Sequence, residues 1–499
     1  MDIFAVALLI SEDFESVMTS SNFALGNVRR LEIIPDNSVY GGILRNPSNR
    51  GLQGAEDLLL RLILHRLSPG QLRSISISLA GGISTETAVF LMKTQTNLKN
   101  IDFSTNTRPR EAAYGDLLSC KPCFSKLESF GFYIGRFEEA ASVPFAFIHN
   151  TLRDNCRSLK SLFLSFDKKS ELFAELENDL ASPHIDQTFT ARILQLFART
   201  PRKDEEFIQF PSLNQLRIRS FPSFEIICQL ADPPLINRFN WGNIKMLRID
   251  DCENADGLLR SVAGKMPSLK VLQIQSSCTW ETMEDVLPRL APLEVFHIVF
   301  SVDGDPPAEN AFDVLDVHRK SLRSLWLECD SDHRMVEETI SHLILSGSKP
   351  LSHKHWPKLE QLSLQLTDNY VIFHPIDTLR YLRILHPPDY DHRSLEQEKE
   401  RVRKLCETLL RGTLAREGRL PILQVVAVMV FDQVPRNKHR ALFPAYFVVE
   451  FVRTLLGDWT VLLSQGTHHD IRRLFPDMTM IEFERNERLW GGVDGSILS

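Results

Sequence analysis

Pro267-Ser268-Leu269-Lys270-Val271-Leu272-Gln273-Ile274-Gln275 is the stretch on which the fold turns. A leucine is followed by a charged residue, and apolar residues return at the third and fifth positions beyond it. Alternation of this kind suits a strand with one buried face. The same frame recurs. Ser158-Leu159-Lys160, Ser212-Leu213-Asn214 and Ser321-Leu322-Arg323 open it again, each with the same two apolar residues downstream. Looser copies begin at Val28, Leu72, Leu98, Leu127, Ile244, Leu293, Leu359, Leu379 and Leu423. Every copy carries a charged or amide residue directly after its first aliphatic.

The apolar triple alone proves little. At 43% hydrophobic residues, it turns up by chance at about 8% of positions. The charged second residue and the spacing carry the argument. From Leu213 to Ile244, Leu269, Leu293 and Leu322 the steps are 31, 25, 24 and 29 residues by subtraction. Between the copies lie stretches of helical periodicity: Glu56–Leu64, Thr190–Phe197 and Thr282–Leu290. Strand then helix, repeated, predicts α/β architecture with parallel strands and crossover helices. Each unit is too small to bury its own apolar face, so neighbours must stack.

This frame and period resemble the leucine-rich-repeat superfamily, whose repeat is about 20–29 residues long. The family places Asn or Cys eight positions after the first aliphatic. Asn106 and Cys252 fill that place, whereas Ser277, Ser301 and Asp330 replace it in other copies. The irregular style looks most like fungal F-box/leucine-rich-repeat proteins, over about residues 25–430. That resemblance implies an irregular solenoid, a curved parallel sheet with outer helices, closed by a C-terminal cap. It also implies a substrate receptor in ubiquitination, docked on a Skp-type adaptor. The F-box itself is not visible, because only Met1 to Asn27 precede the first copy. The expected layout is an N-terminal helical cap over 1–27, with one apolar helix in Met1–Ser20. A repeat region follows over 28–430, with an insertion near 167–211, and a C-terminal cap over 431–499. A long helix is expected from Ser394 to Leu410. Ser394 and Gln397 have capping-box spacing, and Gly412 stands as the stop.

Composition narrows the function. The formal net charge is −7, from 57 basic and 64 acidic residues, which offers phosphates no global basic face, so no nucleic acid is expected. No run of about 18 apolar residues suggests a membrane span. Eight cysteines are sparse for a disulfide framework, and the compartment expected is cytosol or nucleus. Cys120-Lys121-Pro122-Cys123 lacks a second pair to complete a zinc site. His353, His355, His468 and His469 lack the further ligands a metal needs. No phosphate loop or nucleophile elbow is present. No cofactor or metal is expected.

The expected function is therefore a protein-interaction module, not an enzyme. Its partner would lie on the concave strand surface. If the copies are strands, the second, fourth and sixth positions after each first aliphatic face that surface. Arg217, Arg219 and Arg248 then form a basic patch, and His297, Trp326, Tyr381 and Arg383 follow on later strands. Arg, Trp and Tyr dominate protein-interface energetics. The alternative is an enzyme with an active site scattered over an α/β scaffold.

Overall fold

The structure is a computed structural model. It describes residues 5–8, 28–33, 58, 60–77, 85–103, 124, 126–134, 142–166, 208–220, 239–252, 255–301, 311–329, 356–365, 378–385, 394–431, 442–466 and 468–480. The fold is α/β, with mostly parallel strands. Two compact units divide the chain, Met1–Asn254 and Ala255–Ser499.

In the first unit, eight described strands pair side by side in chain order, all parallel. They are β1 (Ala5–Leu8), β2 (Arg30–Ile33), β3 (Ser74–Ile77), β4 (Asn100–Phe103), β5 (Ser129–Ile134), β6 (Ser161–Phe166), β7 (Gln215–Arg219) and β8 (Met246–Asp250). Helix α1 (Thr85–Thr94) crosses from β3 to β4, and α2 (Ser142–Asn155) from β5 to β6. In the second unit, β9 (Val271–Thr279), β10 (Val295–Ser301), β11 (Ser324–Cys329), β12 (Gln361–Gln365), β13 (Tyr381–Leu385) and β14 (Val425–Phe431) are parallel. Strands β15 (Leu442–Arg453) and β16 (Trp459–Gly466) then add on antiparallel. Short helices α3 (Ala255–Val262) and α4 (Trp280–Val286) flank β9 in sequence. Helix α5 (Leu395–Glu417) packs on β14, β15 and β16, and α6 (His468–Leu474) on β15 and β16.

Every copy of the sequence frame becomes one strand, which begins two residues after its first aliphatic. The apolar positions whose burial is described are buried, as at Ile244, Leu247 and Ile249 or Leu269, Leu272 and Ile274. Each such side chain contributes about 1.5–3 kcal/mol on leaving water, so copies such as these are anchored three times.

At the family's Asn/Cys position, Cys252 Sγ donates to Ile218 O at 3.7 Å, one copy upstream. Other buried side chains, just ahead of three of the copies, also bond to the copy upstream, as a polar ladder. Gln95 and Asn155 accept from the backbone N–H of Leu72 and Leu127, one copy upstream, both at 2.9 Å. His318 accepts from Leu293 N–H at 3.1 Å. Ser158 and Ser321 donate to the carbonyls of Leu127 and Leu293, both at 2.7 Å. This explains the Ser before Leu at two of the four longer cores.

His318 is locked in one tautomer. Nδ1 accepts from an amide, so Nε2 carries the proton and donates to Leu287 O at 3.1 Å. Burial lowers its pKa below the ordinary value, despite the opposing carbonyl bond. The folded state therefore holds His318 neutral while the unfolded state takes a proton below about pH 6.5. Stability from this site is full above that pH and is lost as the pH falls through it toward the lowered folded value. Thermal melts between pH 5 and 7.5 should show this slope, and His318→Gln, which imitates Gln95, should flatten it. An unchanged slope would remove the assignment.

Three expectations are corrected. Residues 5–8 are a strand paired with β2, not part of an N-terminal helix. Four consecutive apolar residues do not distinguish the two by periodicity. Helix α5 runs past Gly412 to Glu417 and stops at Gly418, whose φ of 65° is the left-handed conformation that ends helices. Buried Thr413 keeps the helix against the core beyond Gly412. Its start holds: Ser394 accepts from Gln397 N–H, and the Gln397 side chain accepts from Ser394 N–H. Third, the helix expected over Thr282–Leu290 starts earlier, at Trp280, and tightens to a 3-10 turn over Leu287–Arg289. The helix expected at Glu56–Leu64 is present at 60–66. Thr190–Phe197, the stretch 167–207 and Asn106 lie outside the described residues.

Candidate interaction surface

Parallel register turns single positions into rows. In the first unit, Asp102, Gly131, Phe163, Arg217 and Arg248 lie side by side on one strand face. A Cβ on Gly131 would come within 2.6 Å of an Asp102 carboxylate oxygen, so a side chain there would require the Asp102 carboxylate to turn away. Arg217, Arg219 and Arg248 do converge, as the sequence predicts. They do not form an exposed basic patch. Asp250, on the same face of β8, takes two bonds from Arg217 on Oδ2 (3.0 and 2.8 Å). Arg248 Nε reaches both of its oxygens, at 2.8 and 2.9 Å. The Arg217 guanidinium also lies 4.2 Å over the Phe163 ring.

Arg219 and Arg248 are buried, and only Arg217 keeps partial exposure, 21% of its side chain. The expectation of three exposed cations is corrected: alternation tells which face a residue is on, not whether that face is wet. Burial works against the Asp250 charge, but Arg248 and Arg217 outweigh it and hold its pKa below the usual carboxylate value. Burial pushes Arg219 down to about 9, with Asp250 opposing the shift, so it stays charged at neutral pH. Both strands end in a left-handed residue, Ser220 (φ 47°) and Asp251 (φ 57°), and Ser220 N–H donates to Asp250 O at 2.8 Å. This turn closes the edge of the cluster.

In the second unit, Gln273, His297, Trp326, Ser363, Arg383 and Ala427 form the corresponding row. His297, Trp326, Tyr381 and Arg383 are all buried, so their expected exposure is likewise corrected. Trp326 donates to Glu328 at 2.9 Å, and the Arg383 guanidinium sits 3.9 Å over its ring. The covering material comes from the end of the same unit. Trp326, Tyr381, Val425, Ala427 and Tyr446 share one core with Ile471, Met478 and Met480. Gln361 ties this segment down: its Nε2 donates to Asp477 O (3.2 Å) and its Oε1 accepts from Met480 N–H (3.1 Å). Arg380 pairs with Asp477.

Sequence reasoning missed one arrangement with a catalytic look. Ser324 Oγ lies 2.7 Å from His297 Nε2, the spacing of a nucleophile and its base. The polarity is wrong. Gln273 Nε2 donates to His297 Nδ1 at 3.0 Å, so the ring proton sits on Nε2 and points at Ser324. Both residues are buried. The pair reads as a satisfied core contact. Burial raises the Cys278 thiol and pushes Cys406 up to about 12, which leaves both as neutral thiols. Cys120, Cys123, His353 and His355 lie outside the described residues. Among the described residues, no group of three or more His, Cys, Asp or Glu could hold a metal ion, and no helix is long and apolar enough to cross a membrane.

One row does reach solvent. The residue just ahead of each strand, the charged or amide position of the sequence frame, is joined to the next by a backbone bond. In the first unit the row is Arg29, Arg73, Lys99, Glu128, Lys160, Asn214 and Lys245, with N–H to carbonyl distances of 2.7–2.9 Å. In the second it is Lys270, Glu294, Arg323, Glu360, Arg380 and Gln424, at 2.7–2.8 Å. The sequence showed this position in every copy but not that the copies line up. No protein-family model matches the chain, and no curated protein matches it.

Proposed function

We propose that this chain is an irregular leucine-rich-repeat solenoid that works as a protein-interaction module, with the residues after β14 as its cap. The observation that carries the reading is the conversion of all copies of one sequence frame into strands paired in chain order. Such an array offers rows of side chains at regular spacing, a surface suited to holding another macromolecule. The partner surface lies on the strand side. There the lead rows and Arg217 reach solvent, while Arg219, Arg248, His297, Trp326, Tyr381 and Arg383 stiffen the layer beneath. By its resemblance to F-box/leucine-rich-repeat proteins, the chain is a receptor-like protein that presents substrates for ubiquitination.

Affinity capture on the full chain, followed by cross-linking of the purified pair, tests this. A partner whose cross-links fall on Lys99, Lys160, Lys245, Lys270 or their neighbours supports it. Cross-links confined to the helices α3 and α4 would overturn the strand-side placement. Recovery of a Skp-type adaptor supports the ubiquitination extension, and repeated failure to recover one removes it.

A further inference from the structure

The two lead rows occupy the same place in the repeat but differ in charge. In the second unit the signs alternate and neutralise within the row. Lys270 pairs with Glu294 at 3.4 Å, Arg323 with Glu360 at 2.9 Å, and Arg380 with Glu360 and Asp477. In the first unit five of the seven residues are basic and one, Glu128, is acidic. Glu128 bonds Lys99 and Lys160, at 2.5 and 2.7 Å, and these two lysines hold its pKa down to about 2. One carboxylate shared by two lysines leaves the trio cationic. Lys99 and Lys160 remain 43% and 57% exposed, and Arg73 and Lys245 are exposed as well. Strands sit about 4.8 Å apart, so six steps from Arg29 to Lys245 cover roughly 29 Å.

We propose that the lead row of the first unit binds an acidic, extended segment of a partner protein, laid across the strands from Arg73 to Lys245. This rests on the interaction-module reading above and specifies its partner. Three features favour protein over nucleic acid. The ionised Glu128 stands mid-row. A peptide can set a neutral or basic residue against it, whereas a phosphodiester carries a charge at every step. The next position on each strand is Arg30, Ser74, Asn100, Ser129, Ser161, Gln215 and Met246, without an aromatic platform for base stacking. Five of these are hydroxyl or amide groups, Ser74, Asn100, Ser129, Ser161 and Gln215, and three of them directly follow a cation of the row; such groups hydrogen-bond carboxylates and backbone.

The five steps from Arg73 to Lys245 cover about 24 Å, which about seven residues of extended chain span at roughly 3.3 Å each. The probe is therefore a fluorescein-labelled peptide of alternating Glu and Ser of about that length, titrated by anisotropy against the full chain at low salt. An oligothymidylate of matched charge is the comparison. Arg73→Glu/Lys245→Glu should weaken peptide binding by about tenfold or more, with unchanged thermal melts, since both side chains are exposed. Glu128→Gln should tighten it. Lys270→Glu/Arg323→Glu, in the balanced row, should leave it unchanged. The proposal is overturned if wild type does not bind the peptide, if both double variants lose equally, or if the oligonucleotide binds more tightly. Capture of a strand-side partner together with failure of the peptide would sink this proposal alone. Capture of a partner whose cross-links are confined to helices α3 and α4 would instead sink the strand-side reading, whatever the peptide does.

Discussion

Asp250→Ala is expected to destabilise the first unit by about 3–5 kcal/mol, the cost of leaving a buried ion pair without one partner. Asp250 is the shared acceptor for Arg217 and Arg248, and its charge also offsets that of Arg219. Removing it takes the shared counter-charge away from three guanidiniums, two of them buried. The converse change is milder. Arg217→Met keeps the stem and leaves Asp250 with Arg248, and its site is partly open to water, so about 1 kcal/mol is expected. Urea unfolding followed by far-UV circular dichroism separates the two. Equal losses would mean that the cluster does not centre on Asp250. The same carboxylate sets an acid limit. Its folded pKa lies below the unfolded value of about 3.9, so its stabilisation is complete above that pH. It is lost as the pH falls through the folded value. The Asp250→Ala protein should therefore show a flatter decline below pH 4 than wild type.

The strands were legible because period two survives in short windows and the charged second residue marks the frame. Leu269 and Lys270 locate β9 to the residue. The fate of the opposite strand face was not legible. Alternation places Trp326 or Tyr381 on that face, but the material that buries it comes from far along the chain. Gln361 is bonded to Asp477 and Met480, 116 and 119 residues away. For Arg219 and Arg248 the hidden factor was Asp250, visible in the sequence as an acidic residue but not as their common acceptor. The ladder was missed for another reason. Gln95, Asn155 and His318 do one job with three chemistries, and they sit three or four residues before the next Leu, so no fixed motif announces them. The sequence also put the end of α5 at the first glycine. The helix needed the second, because its buried side continues through Thr413.

Trp326→Ala should destabilise the second unit by about 3–5 kcal/mol, the range for deleting a fully buried aromatic. The ring is wholly buried within the core that joins Tyr381, Val425 and Ala427 to Ile471, Met478 and Met480. Its loss opens a cavity and removes the platform beneath the Arg383 guanidinium. It also leaves Glu328 without the indole N–H. Trp326→Phe separates these effects. It retains most of the volume and the ring face but not the N–H, so it should cost about 1–2 kcal/mol, the range for one bond to a charged acceptor and a smaller ring. The experiment also decides between two roles for this residue. An exposed interface anchor, as alternation alone implies, would leave stability within about 0.5 kcal/mol and lower only partner affinity. A core residue that holds 468–480 against the strands would lower the unfolding midpoint first. Limited proteolysis should then cut at 466–480 sooner in Trp326→Ala than in wild type. A stable Trp326→Ala chain that resists cleavage there would place Trp326 back among the surface residues.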